Sequence, residues 1–389
     1  MASKHEVIDF TDELDFLHES NLYRKLTTVE TLGPVAKVNG KKAILLCSND
    51  YLGLSCNKHV VKAISNALKT CVSQCSSRLV SGNNSMLEEL ERNLAKQKGR
   101  ERALIYPTGY MANLGAISTL AGKGDLIVSD ELNHASIVDA CKMSRATVKV
   151  FKHNNAEDLL AKLSGEEYRH KLIVTEGIFS VDGDSAQLKE MGKISHDNDA
   201  LLVVDDAHGD FVYGTHFRGT AEYLDAEKYV DVIVSSMSKG LGCFGGYVAG
   251  SSELVEYLIN RSRQFIYTSA LPSIFASAAI AALKIAVKGS QQKKLWNNVH
   301  RFRKGLAGIG LNVNSSSHII PILIGSEKTA MRFSKILLEK GVFAQAIRYP
   351  TVPKGSARIR VSMTSLLENY IDDVLDAFSK SARKLSLAN

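Results

Sequence analysis

Four short apolar runs, each followed by polar or turn-forming residues, constrain this chain most. They are Ala103–Tyr106, Leu172–Thr175, Leu201–Val204 and Val230–Val234. Helical patterns over Met86–Lys98, Ala156–Leu163 and Leu188–Asn198 separate most of them. Strands that alternate with helices build βαβ units, and continuous apolar runs suit strands buried on both faces. The expected class is therefore α/β, a mainly parallel central sheet with helices on both faces, spanning residues 55–285. Residues 1–54 read as an N-terminal segment: a helix, a hairpin (Ala36–Val38 with Ala43–Cys47) and the turn Ser48-Asn-Asp-Tyr-Leu-Gly53. Residues 286–389 read as a smaller C-terminal α/β domain, with strands Ile319–Ile324 and Ala357–Ser362 and helices Thr329–Lys340 and Leu366–Lys384. A length of 389 residues accommodates about two to three such units.

Composition narrows the function by exclusion. A hydrophobic content of 45% with 23% charged residues is that of an ordinary globular chain. The first ten residues are polar and soon acidic, unlike a signal peptide. The alanine-rich stretch Ile274–Val287 is broken by Ser277 and Lys284 and falls short of the ~18 apolar residues of a membrane span. It reads as a buried helix, so the expectation is a cytoplasmic protein without a membrane partner. The net charge of +7 is scattered, and its only tight run is Lys293-Lys294, near Arg301 and Arg303. No basic stripe with interleaved aromatics points to nucleic acid. Six cysteines (Cys47, Cys56, Cys71, Cys75, Cys141 and Cys243) include no CxxC pair and no matching histidine cluster, so free thiols and no metal are expected. Cys71 and Cys75, four apart on an expected helix, make half a metal site at most.

In parallel sheets, ligands bind beyond the carboxyl ends of the strands. The first run is followed by Pro107-Thr-Gly-Tyr110 and the second by Glu176-Gly-Ile-Phe-Ser180. The third leads into Asp205-Asp-Ala-His-Gly209, and the fourth into Ser235-Ser-Met-Ser-Lys-Gly240. This set matches the needs of pyridoxal 5'-phosphate (PLP). The aldehyde requires a lysine amine that loses its proton easily, which a sheltered site favours, and Lys239 suits it. The pyridine nitrogen requires a carboxylate, which Asp205 supplies, so that the ring accepts electrons. His208, three residues on, is within reach of the ring hydroxyl. Thr108-Gly109-Tyr110, opening an expected helix at Ala112, offers a turn and a helix N-terminus to a phosphate.

Singly, each feature has a plainer reading: a surface lysine, a capping aspartate, a structural histidine. Their order along the chain, glycine turn, Asp-x-x-His, then Ser-x-x-Lys, makes chance a poor account. A rival signal, Gly240-Leu-Gly-Cys-Phe-Gly245, fits the GxGxxG fingerprint of nicotinamide oxidoreductases. That fingerprint must open a helix, whereas Gly246–Gly250 reads as a strand. No GxxxxGK[ST] loop is present.

These segments, together with Ser77-Arg-Leu-Val-Ser-Gly82, Asn133-His-Ala-Ser136, Thr175–Asp184 and Ala357-Arg-Ile-Arg360, resemble the α-oxoamine synthases. These are fold-type I PLP-dependent transferases, and the resemblance covers nearly the whole chain. It implies condensation of an amino acid with an acyl-CoA, releasing CoA and carbon dioxide, in a homodimer with active sites at the subunit interface. Phe265–Pro272 and Ala346–Pro353 are most similar to the branch that joins L-alanine to a pimeloyl thioester (on CoA or acyl-carrier protein) in biotin biosynthesis. The alternative is the branch that uses glycine and acetyl-CoA, which Tyr349-Pro350 and Lys354-Gly355 resemble. A catalytically silent subunit is disfavoured by the intact lysine, aspartate and histidines. By the same resemblance, Lys239 holds PLP and abstracts the proton, His134 stacks on the ring, and Asp205 and His208 pair with the ring nitrogen and oxygen. Ser180 assists nearby. Ser236, Gly109 and Tyr110 hold the phosphate, helped by Thr268 or Ser269 of the partner subunit. Arg360 grips the amino-acid carboxylate, while Asn49 and Arg24 line the substrate site. Ser236 stands where threonine is more usual and keeps the hydroxyl.

Overall fold

The computed structural model describes residues 10–20, 22–31, 33–69, 72–165, 167–311, 313 and 315–387. Its strands, in chain order, begin with β1 Val29–Thr31, β2 Val35–Val38 and β3 Lys41–Leu45. The central strands are β4 Arg102–Tyr106, β5 Leu126–Asp130, β6 Thr147–Phe151, β7 Lys171–Glu176, β8 Ala200–Asp205, β9 Val232–Ser236 and β10 Gly246–Gly250. The last four are β11 Ile319–Gly325, β12 Val342–Phe343, β13 Gln345–Ile347 and β14 Ala357–Ser362.

The seven central strands form one sheet in the order β4-β10-β9-β8-β7-β5-β6. Strands β9, β8, β7, β5 and β6 run parallel, and β10 is antiparallel to both of its neighbours, β9 and β4. Leu172, Val174, Leu202, Val204, Val232 and Val234 are all buried, as a sheet covered on both faces requires. The register pairs Glu176 with Asp205 and Asp205 with Val234, so the ends of β7, β8 and β9 lie side by side. A three-stranded sheet, β11-β14-β13, carries Arg360 on its central strand. The N-terminal strands form a sheet with β12; Ser362 N–H donates to Leu46 O (2.7 Å) and Ser365 N–H to Tyr51 O (2.8 Å). The turn at residues 48–53 is thereby held against the C-terminal strands. No single helix among the described residues is long and apolar enough to cross a membrane.

Several expectations need correction. The fourth apolar run pairs as β9 from Val232 to Ser236, two residues later than its hydrophobicity suggests, because a 3-10 turn at Glu227–Tyr229 occupies the approach. The expected helix from Leu366 begins at Ile371. Ser365–Leu367 is a separate 3-10 turn whose flanking carbonyls, Thr364 O and Glu368 O, accept from Asn298 Nδ2 (2.9 Å) and Arg301 Nη1 (2.8 Å). The helix expected to open at Ala112 begins at Gly109. β5 and β6 were not expected as strands; β6 is an edge strand with Val148 and Val150 exposed, so it carries little of the buried signature. Cys75 lies in a loop at φ 51°, not on a helix, and Cys71 falls outside the described residues.

Two polar clusters fasten the elements beneath the strand ends. Lys98 closes the Ser85–Lys98 helix with its side chain out of solvent and pairs with Asp210. It also donates to Arg218 O (2.7 Å), while Ser235 Oγ and Tyr247 Oη donate to Asp210 Oδ2 (2.6 and 2.5 Å). Removing one partner of such a pair strands the other charge out of water. Lys98→Met is expected to lose about 3–5 kcal/mol of unfolding free energy in urea titrations. His153 meets Asp130 through Nδ1 (3.0 Å) and Asp184 through Nε2 (2.8 Å), tying the loop after β7 to the end of β5. Burial pulls the His153 pKa down, but the two carboxylates outweigh it and push it from 6.5 up to about 10. A folded-state value raised in this way stabilises fully below the unfolded value and is lost as pH climbs through the folded one. The unfolding free-energy gap between the native chain and His153→Gln should therefore shrink from pH 6 to pH 10; a constant gap would contradict the clamp.

Candidate active site

The carboxyl end of β8 places Asp205 in a buried position with both oxygens engaged. Oδ2 accepts from Asn113 Nδ2 (2.6 Å) and Oδ1 from Ala207 N–H (2.9 Å). Asn113 sits on the Gly109–Leu120 helix and also donates to Ser136 Oγ (2.9 Å), which spans from that helix to the one beginning at Ala135. Beyond Asp205 the chain brings in His208, which is buried. Its Nδ1 lies 2.5 Å from Tyr51 Oη and its Nε2 lies 2.8 Å from Lys239 Nζ. Lys239 leaves the end of β9 through a turn closed by Met237 N–H donating to Gly245 O (2.9 Å). Residues 240–245 form that β9-to-β10 connection, so the GxGxxG pattern lies between two antiparallel strands and opens no helix.

The surroundings ease loss of a proton from the Lys239 amine. Burial lowers the Lys239 pKa; Asp205 and Glu176 act against this, and Arg360 adds to it, leaving a net depression. His208 is pushed well below its ordinary value, first by burial and then by Lys239 and Arg360, so the ring is neutral. His134 caps the Ala135–Ser144 helix, accepting Ser136 N–H at Nδ1 (3.2 Å), and its pKa is lowered mainly by burial. Glu176 is raised to about 8, by burial first and by Asp205 next, and one of its oxygens is buried without a partner.

The phosphate end is shaped by close backbone approach. Thr108 Oγ1 accepts from Met111 N–H (3.1 Å) and starts the Gly109–Leu120 helix. A Cβ on Gly109 would stand 2.8 Å from Ser236 Cβ, and one on Gly246 would stand 2.5 Å from Gly109 N. Two glycines therefore bring the helix N-terminus against the hydroxyls of Ser236 and Ser238, themselves 2.7 Å apart. Helix N–H groups with hydroxyls suit a phosphate. This cradle, the amine of Lys239 and the carboxylate of Asp205 fit PLP.

The remaining expected residues divide. Arg360 joins the site: Nε donates to Ser180 O (2.5 Å), Nη1 to Ser362 Oγ (2.8 Å), and Nη1 approaches Asn49 Oδ1 (3.4 Å). Ser180 thus meets Arg360 through its carbonyl. Tyr110 is exposed; its hydroxyl bonds to Asp139 and its ring stands edge-on to His134 at 6.3 Å between centroids. Arg24 is exposed in the stretch before β1, and Thr268 and Ser269 lie between the Arg263–Ile266 and Ser273–Ala286 helices. Among the described residues, no hydrogen bond joins any of these three to Lys239, Asp205 or Ser236.

Four residues of this region received no role from the sequence. Glu176 ends β7 as Asp205 ends β8, and that parallel was a usable signal. Asn113 is the lone amide on an apolar helix, and Tyr51 sits in the Ser48–Gly53 turn. His318, fully buried with both ring nitrogens unpartnered and its pKa lowered by burial to about 3, gave no signal.

Residues 41–378 match the family described as aminotransferase class I and II. The chain is 41% identical over 394 residues to the 8-amino-7-oxononanoate synthase of Thermoanaerobacter pseudethanolicus, covering 100% of both chains. Among solved structures it is similar to a serine palmitoyltransferase variant from S. paucimobilis with a bound PLP–myriocin aldimine (TM-score 0.91, 30% identity, 97% of this chain and 98% of that one). It is also similar to the 8-amino-7-oxononanoate synthase of Francisella tularensis (TM-score 0.76, 29% identity, 88% of this chain and 98% of that one).

Because Gly109 admits the helix N-terminus to Ser236, Gly109→Ala is expected to weaken PLP binding by roughly tenfold or more, about 1.4 kcal/mol. Absorbance titration of the cofactor-stripped protein measures this, and unchanged affinity would remove the cradle from the account.

Proposed function

The chain belongs to the aminotransferase class I and II family, and from that premise we propose the following reaction. It is the PLP-dependent condensation of L-alanine with a pimeloyl thioester to 8-amino-7-oxononanoate, carbon dioxide and the free thiol carrier, a step of biotin biosynthesis. The observation that carries the chemistry is the contact of Lys239 Nζ with a neutral His208 (2.8 Å) beside the strand end that bears Asp205. The choice of substrate rests on the full-length 41% identity to a synthase of that name.

In this reading Lys239, Asp205, His208, His134, Ser180, Ser236, Gly109 and Tyr110 hold PLP. Thr268 and Ser269 of the partner subunit complete the phosphate side of a homodimer. Ser76 O accepts from Ala270 N–H (2.9 Å), which joins that stretch to the Arg78–Gly82 turn, and exposed Val80 and Tyr267 flank the pair with apolar surface. The exposed apolar surface of Val80 and Tyr267 supports an interface there. Bound PLP supplies an electron sink for the negative charge that develops at the amino-acid Cα.

The chain's own residues do the rest. Arg360 pairs with the alanine carboxylate, a task that suits a planar, bidentate guanidinium. Lys239, as a free amine, takes the Cα proton. The Cα then attacks the thioester carbonyl and the C–S bond breaks to release the thiol. The carboxylate leaves as carbon dioxide, and Lys239 returns its proton to the same carbon. Asp205 holds a proton on the pyridine nitrogen, and Asn113 and the Ala207 N–H fix the orientation of its carboxylate. Arg24 and Asn49 line the acyl-donor and amino-acid approaches.

A substrate panel on PLP-loaded protein tests the assignment. Alanine with pimeloyl-CoA should exceed glycine with acetyl-CoA by roughly a hundredfold in kcat/KM. The reverse order would assign the chain to the 2-amino-3-ketobutyrate CoA ligase reaction. Lys239→Ala should abolish both turnover and borohydride trapping of the cofactor; trapping that persisted would reject Lys239 as the attachment point.

A further inference from the structure

Below Lys239 a line of close polar contacts runs away from the candidate site. Lys239 Nζ meets His208 Nε2 (2.8 Å), His208 Nδ1 meets Tyr51 Oη (2.5 Å), and Tyr51 Oη lies 3.2 Å from Asn49 Oδ1. Asn49 Oδ1 is also approached by Arg360 Nη1 (3.4 Å), Arg360 Nη2 (3.5 Å) and Ser362 Oγ (3.4 Å). Tyr51 is fully buried, and no role from the motif reading falls on it.

A phenol has one proton to give. An amide oxygen has two lone pairs, and at Asn49 the donors of Arg360 and Ser362 already compete for them. The distance to the imidazole is shorter by 0.7 Å, the difference between 3.2 and 2.5 Å. The proton therefore goes to His208 Nδ1. In a neutral imidazole whose Nδ1 accepts, Nε2 carries the hydrogen. That hydrogen points at Lys239, and only an unprotonated amine has a lone pair to receive it. His318 does not compete for the hydroxyl, because it packs edge-on against the Tyr51 ring (4.1 Å, 77°).

We propose that Tyr51 is a positioning residue that locks His208 in its Nε2–H tautomer and so holds Lys239 as the free amine. This rests on the reading of Lys239 as the PLP attachment point. The other charged or titratable groups bearing on Lys239 are Asp205 on β8, Glu176 on β7, Arg360 on β14, His134 at its helix cap and the buried His318 before β11. Asp205 and Glu176 favour the ammonium, Arg360 and burial the free amine. The N–H directed at Nζ adds to the second group without adding charge.

Two measurements on the full-length, cofactor-stripped chain decide it. In ¹⁵N-histidine spectra, with His208 assigned through His208→Asn, Nε2 should be protonated and Nδ1 bare at pH 7.5. A His208 protonated at Nδ1 would overturn the proposal without reference to PLP. In Tyr51→Phe, which keeps the ring in its buried slot, the His208 signals should move towards tautomer averaging. The pH midpoint of PLP capture, followed by the visible band, should rise by about one unit, a tenfold fall in free amine at a given pH. A folded variant, judged by its melting temperature, with an unmoved midpoint would overturn the proposal. An unaltered chain that captured no PLP at all would instead refute the cofactor reading and leave the tautomer result standing.

Discussion

The contact between Lys239 Nζ and His208 Nε2 sets the terms for everything around it. An ammonium withdrawn from water costs several kcal/mol unless it finds an anion, and a free amine does not. The protein buries a neutral imidazole against the lysine, and burial with Arg360 outweighs the pull of Asp205 and Glu176 toward the ammonium, so the lysine pKa falls. Desolvation thus eases proton loss from the Lys239 amine, against the opposing pull of the nearby carboxylates.

Those carboxylates show how closely the balance is drawn. Asp205 and Glu176 are register partners on adjacent strands. Asp205 has donors at both oxygens, whereas Glu176 keeps one oxygen unpartnered and is raised to about 8. Two buried carboxyl groups side by side do not both ionise freely. Burial and the neighbouring carboxylate favour the protonated form of Glu176, while the Asn113 amide and the Ala207 N–H occupy the oxygens of Asp205. Farther down, the Lys98–Asp210 pair and the His153 clamp hold the strand ends and the loop after β7 in the arrangement that this balance requires.

Much of this was readable before folding was considered. Alternating strands and helices announced the sheet, and the strand ends held Asp205, His208, Ser236 and Lys239 in a sequence order that matched one cofactor. What escaped had no local signature. β6 is an edge strand with two exposed valines, and β9 begins two residues late because a 3-10 turn intervenes. The start of the last helix is set by Asn298 and Arg301, side chains about 70 residues away that take the backbone carbonyls. Tyr51 and Asn113 are buried polar residues whose partners lie 157 and 92 residues further along the chain.

The sequence by itself determined the fold class and nominated the candidate reacting groups, because hydrophobic periodicity and residue chemistry are local properties. Tertiary structure alone decided how readily each of those groups takes up or gives up a proton. Charge state depends on burial and on neighbours supplied by distant segments: Arg360 from β14, Tyr51 from the N-terminal turn and Glu176 from the adjoining strand. Periodicity does not encode those distances; packing creates them.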